Sequence, residues 1–412
     1  MHPTPRAVVG LASAAIGLTA WRLARPGHLG RGARLALRIA VVAWTIGLLS
    51  FIPVGDGLRL ALQGPVGAAV CAALDVVGGG IRPLAVDVPA AAEAMAWSGA
   101  MLALAAGTAA WMDSRRQRLR LAWTIAATGA AVVVLGFAQH VLEVDSILGF
   151  TGVPAVRREP FFATFVNPNH ASTLLAAGAV LGASMLGRPR PFARLLGAIT
   201  AALCMAGVAW TGSRGGALSA VVGLGLLVGL AAPARVAVGA LGMGLVGIAA
   251  AILAGGSRFV DRVRSMAEGP GATGDPWSGR LEFWADALDL VRAAPLLGVG
   301  PGGYDLASRF AKTSPRFIIP RHAHQEPLQA LVEWGVPGGC LWIVAALLPV
   351  AFGLSRTLKQ RHGRRRTLLA AWVSAACAIL VGCLVDFPLR IGALSILAAC
   401  VWGVLLQADD AE

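Results

Sequence analysis

The feature that most limits this chain is the spacing of its apolar residues, which fall in blocks of about 17–23, the length needed to cross a hydrocarbon core of about 30 Å. Such a chain satisfies its backbone polar groups within each segment, so helices are the expected spanning element. Eleven spans are predicted, at 7–24, 34–53, 95–112, 121–141, 170–187, 192–211, 215–231, 234–254, 336–354, 367–385 and 391–407. The stretch 57–79 is apolar but interrupted by Arg59, Pro65 and Asp75, and reads as an interfacial or re-entrant helix. The expected fold class is an all-α polytopic membrane protein, with about 11 and at most 12 transmembrane helices and one large extracytoplasmic loop containing short helices. That gives three regions: a helix bundle over 1–254, the loop over 255–335, and C-terminal membrane helices over 336–412.

The net charge of +14 raises the question of a nucleic-acid partner. The positions of the charges argue against one. The excess sits in short clusters between apolar blocks: Arg22 to Arg38, Arg115 to Arg120, Arg188 to Arg194, Arg235, and Arg356 to Arg366. No basic stripe is interleaved with aromatics, and the chain has one Tyr. Every odd-numbered connection is basic, so by the positive-inside rule these are cytoplasmic and the N-terminus is outside. The first block lacks a basic leader and a small-residue cleavage site, so it reads as a first span rather than a signal peptide. Six Cys lie without a CxxC pair, mostly in apolar blocks, so neither a disulfide framework nor a thiolate zinc site is expected.

Three polar features fall on the outer face by this parity. In Thr211-Gly-Ser-Arg-Gly-Gly216, Arg214 is flanked by small residues that leave its guanidinium open to a bulky anion. Arg suits bidentate phosphate contact, although an interfacial arginine taken alone more often only snorkels. Arg280 opens a helical stretch, Arg280–Ala294, that sets Leu281, Trp284, Leu288 and Val291 on one face. A helix N-terminus there favours a phosphate. Arg321-His-Ala-His-Gln-Glu326 brings two histidines, an arginine and a carboxylate together before an apolar helix. A histidine can accept a proton near neutral pH. His322, His324 and Glu326 are a weak metal set, with no further ligand cluster, so no metal or other cofactor is expected. Gly298-Val-Gly-Pro-Gly-Gly303 matches GxGxxG literally, but it follows a helix and contains Pro301, so it reads as a turn. Smaller outward islands are Gln139-His140, Asn167-Pro-Asn-His170 and Asp386-Phe-Pro-Leu-Arg390. At least one of Asn167 and Asn169 is expected to cap the next helix.

In order along the chain, Thr164-Phe-Val-Asn-Pro-Asn-His170, Gly212-Ser-Arg-Gly-Gly216, Gly279-Arg-Leu-Glu-Phe-Trp284, Ala294-Pro-Leu-Leu-Gly-Val-Gly-Pro-Gly302, His322-Ala-His-Gln-Glu-Pro-Leu-Gln329 with Glu333-Trp-Gly335, and Val385-Asp-Phe-Pro-Leu-Arg390 resemble the O-antigen ligase and O-antigen polymerase superfamily. The resemblance covers about 140–407, and Gln325 stands where relatives often have Asn. It implies a metal-independent, inverting membrane glycosyltransferase of the bacterial inner membrane, working on the periplasmic face. The implied donor is a glycan on undecaprenyl diphosphate, and the implied acceptor is lipid A–core or another glycan. Carried over by motif, His324, Arg214 and Arg280 are catalytic, and Arg214, Arg280 and Arg321 bind the donor diphosphate. His322, Gln325, Trp284, Asn167, Asn169, His170, Asp386 and Arg390 are supporting candidates. A repeat-unit polymerase is the nearest competing reading. A lipid-linked sugar transporter or flippase is a further one, disfavoured because polar residues gather at one face rather than at midplane.

Overall fold

The structure is a computed structural model, and it describes residues 3–23, 29–76, 81–144, 146–147, 151–152, 162–231, 239, 242, 276–310, 320–361 and 363–407. Among the described residues the chain is a predominantly helical bundle. In order it runs α1 (Pro3–Leu23), α2 (Arg31–Leu48), α3 (Asp56–Val76), α4 (Val88–Trp111), α5 (Arg115–Val141), α6 (Pro168–Ser184), α7 (Pro191–Thr211) and α8 (Arg214–Ala231). It continues with α9 (Pro276–Ala293), α10 (Tyr304–Phe310), α11 (Glu326–Lys359), α12 (Arg364–Val385) and α13 (Gly392–Leu406). Two minimal antiparallel pairs, Pro53–Val54 with Arg82–Pro83 and Ser146–Ile147 with Thr151–Gly152, tie loops together.

Among the described residues, eight helices are long and apolar enough to cross a membrane: α2, α4, α5, α6, α7, α8, α11 and α12. Helix α13 is apolar but shorter. The expected span 234–254 lies outside the described residues apart from 239 and 242. The core lies where α6 is surrounded by α5, α7, α8 and α12, with Leu175, Leu181, Trp372 and Ile379 fully enclosed. Helix α6 is buried along nearly its whole length, a position that suits its run of Ala, Gly and Ser, since small residues let helix backbones approach in an apolar medium.

The helices alternate in direction, so the bundle has two chemically distinct ends. One end gathers the C-termini of α5, α7 and α12 and the N-termini of α6, α8 and α11. The opposite end gathers the connections that carry Arg31, Arg115, Arg188, Arg356 and Arg364. Helix α3 is broken at Gly64 (φ 49°, ψ −128°), directly before Pro65. Arg59, an apparent interruption of its apolar pattern, is buried and donates to the carbonyls of Arg82, Pro83 and Leu84. Gln63 bonds the carbonyls of Leu84 and Gly298. The charge thus holds α3 to the loop that follows it.

The segment 276–335 is built around a second small core of Val66, Ala287, Leu290, Val299, Tyr304 and Val332. Helix α9 turns Asp286, Ala287 and Leu290 inward and leaves Leu281 and Leu288 exposed. The apolar stripe foreseen from sequence is therefore not the side that packs most deeply. Helix α11 begins at Glu326, ten residues before the span expected at 336, and is broken at Gly335 (φ 68°, ψ 174°). The break frees carbonyls, and the glycine turn meets them: Val299 N–H donates to Val332, Gly300 N–H to Glu333, and Val336 N–H to the Pro295 carbonyl. Gly298 has φ +67°, and a Cβ there would lie 2.5 Å from both Gly335 N and Val332 O. A Cβ on Gly335 would lie 2.3 Å from Leu296 O. The two glycines are needed together, for their left-handed backbone and for lack of room.

Candidate active site

The Thr211–Gly216 motif is the tight link between α7 and α8. Gly212 ends α7 in the left-handed conformation (φ 61°), and the Ser213 hydroxyl accepts from the Gly216 N–H at 3.1 Å, capping α8. A Cβ on Gly216 would lie 2.1 Å from Ser172 Oγ on α6, and one on Gly215 would lie 2.7 Å from Val385 Cγ2 on α12. The small residues beside Arg214 therefore serve helix packing, and they also line the cavity beside its side chain. They bring Arg214 to the point where α6 begins and α12 ends. Asn167 caps α6 through the Asn169 N–H at 3.0 Å, as capping chemistry foresees. Asn169, Arg214, Arg280, Gly382 and Asp386 share one small cavity of about 60 Å³.

Asp386 is the hub of this cavity. Its Oδ1 lies 3.2 Å from His324 Nδ1 and 3.9 Å from His170 Nε2, and its Oδ2 lies 3.9 Å from Arg280 Nη2. The Phe387 N–H also donates to Oδ1 at 3.0 Å. Burial works to raise the carboxyl pKa, but the hydrogen bond from His324 and the nearby charges of His170, His324 and Arg280 outweigh it and hold Asp386 below the usual carboxylate range. An ionised carboxylate only accepts hydrogen bonds. In the neutral imidazole of His324 the hydrogen is therefore on Nδ1 and the lone pair on Nε2. His324 sits at φ +52°, a conformation rare for a non-glycine residue and often retained at functional positions. Phe283 stacks on its ring at 5.9 Å (27°). Phe387 lies among three imidazoles, with centroids 4.8 Å from His170, 4.3 Å from His322 and 4.8 Å from His324.

Beneath this lies a buried polar network. Arg390 bonds Glu333 Oε2 at 3.0 Å and Glu326 Oε2 at 3.4 Å. The other Glu326 oxygen accepts from the Leu389 N–H at 2.7 Å, and Glu333 also accepts from the Gly302 N–H at 2.9 Å. Gln329 donates to Glu333 at 2.8 Å, accepts from the Ala323 N–H at 3.1 Å and lies 3.2 Å from His322 Nδ1. One cluster thus joins the glycine turn, the His322–His324 segment and the Asp386–Arg390 segment. Burial, helped by Arg390, His324 and His170, pushes the His322 pKa down to about 3, so this imidazole is neutral near pH 7.

On the other side of the α12 terminus is a large apolar cavity of about 450 Å³. It is lined by Trp97, Trp334, Trp342, Leu384 and Trp402, with Glu326, Glu333 and Arg390 on its wall.

Residues 199–343 match the family model described as O-antigen ligase. That stretch of the chain is similar to the O-antigen ligase family. The match supports a membrane glycosyltransferase of the ligase or polymerase type, using lipid-linked glycans. No curated protein sequence matches the chain.

The O-antigen ligase match contains Arg214, Arg280, His322 and His324, while His170, Asp386 and Arg390 lie outside it and are brought in by the fold. Not every nominated residue converges. Arg321 stays outside the cavity: its side chain is 82% exposed and stands 3.9 Å from Asp305. Trp284 packs against the small core of 276–335, and Gln325 is the first non-helical residue before α11, without a side-chain cap. Gln139 is buried, and His140 meets the edge of Trp210 at 5.3 Å rather than entering the cavity. Phe283, Phe387, Gln329 and Glu333 were not singled out from sequence. All four lie within stretches that carry the family resemblance, yet only their contacts in the fold reveal what they do.

Proposed function

We propose that the protein is a glycan transferase of the O-antigen ligase type, moving a glycan from undecaprenyl diphosphate to an acceptor hydroxyl, with lipid A–core the favoured acceptor. The observation that carries this reading is Asp386 between His324 and Arg280, in the cavity that Arg214 also lines. His324 Nε2 takes the proton of the acceptor hydroxyl, whose oxygen attacks the anomeric carbon. The bond from that carbon to the diphosphate breaks, and Arg214 and Arg280 stabilise the charge on the departing undecaprenyl diphosphate. Attack opposite the leaving group inverts the anomeric configuration. Asp386 fixes the His324 tautomer and balances the imidazolium that forms. The apolar cavity beside the site is consistent with substrates held on lipid chains.

The reading also puts the Arg214–His324 end on the periplasmic side of a bacterial inner membrane, because the arginine-rich connections lie at the other end. The test is transfer by the purified protein in liposomes, given a defined undecaprenyl diphosphate glycan with either lipid A–core or free repeat units as acceptor. Glycosylated lipid A–core of inverted anomeric configuration is expected. Chain extension of the repeat units alone identifies a polymerase instead, and lipid-linked glycan that moves between leaflets without any transfer removes the enzyme reading.

A further inference from the structure

At the end of the bundle away from the active site, three helix ends bring together arginines that face no anion among the described residues. Helix α5 starts at Arg115, the chain leaves α6 through Arg188, and α12 starts at Arg364. The charges acting on Arg115 are those of Arg364, Arg118 and Arg365, and those acting on Arg188 are Arg115, Arg364 and Arg190. All are cationic. Asp113, two residues before Arg115, makes no ion pair with them among the described residues.

Arg115 Nε and Nη2 are buried and have no hydrogen-bond partner. Buried charged donors without an acceptor are costly, and the cost falls when an anion accepts from them. Arginines that serve the fold at this same end differ. Arg366 donates to the carbonyls of Leu230 and Gln360, and Arg356 to those of Leu405 and Gln407. Helices α5 and α12, of 27 and 22 residues, also present their positive N-terminal ends here. Between Arg188 and Arg364 is a small recess of about 10 Å³, lined also by Leu119, Ser184, Met185, Thr367 and Leu368. It is too small to enclose a phosphate group, which would lie across its mouth.

We propose that Arg115, Arg188 and Arg364 form a site for a phosphate-bearing anion, supplied by the headgroup of an anionic phospholipid. The lipid is favoured over free phosphate because α5, α6 and α12 are all membrane-spanning by length and composition, which sets their ends at headgroup level. The site is distinct from the active site and does not depend on the proposed reaction.

The experiment follows thermal unfolding of the full-length protein in neutral detergent, titrated with phosphatidylglycerol, with phosphatidylcholine, or with inorganic phosphate. Phosphatidylglycerol is expected to raise the midpoint saturably above phosphatidylcholine, and inorganic phosphate at equal concentration is expected to do little. Arg115→Gln and Arg188→Gln should each weaken the phosphatidylglycerol response by about fivefold in apparent affinity, whereas exposed Arg116→Gln should not. In neutral lipid, Arg115→Gln should match or exceed the unaltered midpoint, since it removes repulsion rather than a contact. Equal responses to the two lipids overturn the proposal, as does a full phosphatidylglycerol response in Arg115→Gln. A phosphate response equal to the lipid's assigns the site to a free anion and overturns the lipid assignment.

Discussion

Replacing Asp386 with Asn removes one charge and one hydrogen-bonding property while keeping the side chain's shape. In the native site the carboxylate lies 3.2 Å from His324 Nδ1 and, being ionised, fixes the hydrogen there. An amide can turn its NH2 toward Nδ1 instead, which moves the ring hydrogen to Nε2 and removes the base. The ring itself should stay in place, held by Phe283 at 5.9 Å and Phe387 at 4.8 Å. A positioned general base contributes about 10²–10⁴ in rate, or about 2.7–5.4 kcal/mol of barrier. With the ring still placed, the expected loss in kcat is at the lower part of that range, about 10²–10³. Loss of the Asp386 charge also removes the carboxylate 3.9 Å from Arg280, so the KM for the lipid-linked donor should stay level or fall. The assay is steady-state transfer in proteoliposomes, run on Asp386→Asn, His324→Ala and the double variant. The double variant should be no slower than His324→Ala alone, because the two residues act as one unit. Turnover of Asp386→Asn within threefold of the unaltered protein, or losses that multiply in the double variant, would refute this coupling.

Arg214→Lys and Arg280→Lys keep the charge but lose the planar fork, and each should weaken donor binding by about tenfold in a lipid-diphosphate binding assay. Gly298→Ala meets both a left-handed backbone and a 2.5 Å contact, so it should cost about 2–4 kcal/mol, read as a lowered unfolding midpoint, with Gly335→Ala behaving alike. Arg390→Met leaves Glu326 and Glu333 buried without their cation and should destabilise by about 3–5 kcal/mol, whereas the added change Glu333→Gln should restore part of the loss. His322 folds neutral, with a pKa near 3 against an ordinary 6.5. The unfolded chain therefore takes up a proton that the folded chain refuses, so this contribution is complete above about pH 6.5 and declines as pH falls toward 3. Its ceiling is about 5 kcal/mol, and denaturant midpoints of His322→Gln should depend less on pH over that range.

The bundle was legible from sequence because its signal is local. Apolar blocks and arginine clusters set the spans and their alternation, and the helix ends α7, α8 and α12 fall within a few residues of expectation. The start of α11 was not legible. Residues 326–335 read as the end of the loop, whereas they form the first turns of α11, whose break at Gly335 is repaired by the Gly298–Gly303 turn some 35 residues upstream. The packing role of the glycines beside Arg214 was not legible either, since Ser172 and Val385 press on them only in the folded bundle. Arg214, Arg280 and His324 could be nominated from residue type and motif. Asp386 could be nominated as a supporting residue but not as their hub, because Asp386 and His324 are 62 residues apart and only the meeting of α12 with the loop before α11 makes them neighbours. Arg321 shows the converse: it has the right residue type beside the right motif, yet its side chain turns outward to Asp305.

The most direct measurement is glycan transfer by purified His324→Ala beside the unaltered protein, in liposomes holding an undecaprenyl diphosphate glycan and lipid A–core, with donor binding measured on the same samples. The unaltered protein should produce glycosylated acceptor, and His324→Ala should bind donor normally while product falls by at least a hundredfold. Equal product from both proteins would contradict the role given to His324, and no product from the unaltered protein with any glycan acceptor would contradict the transfer reaction itself.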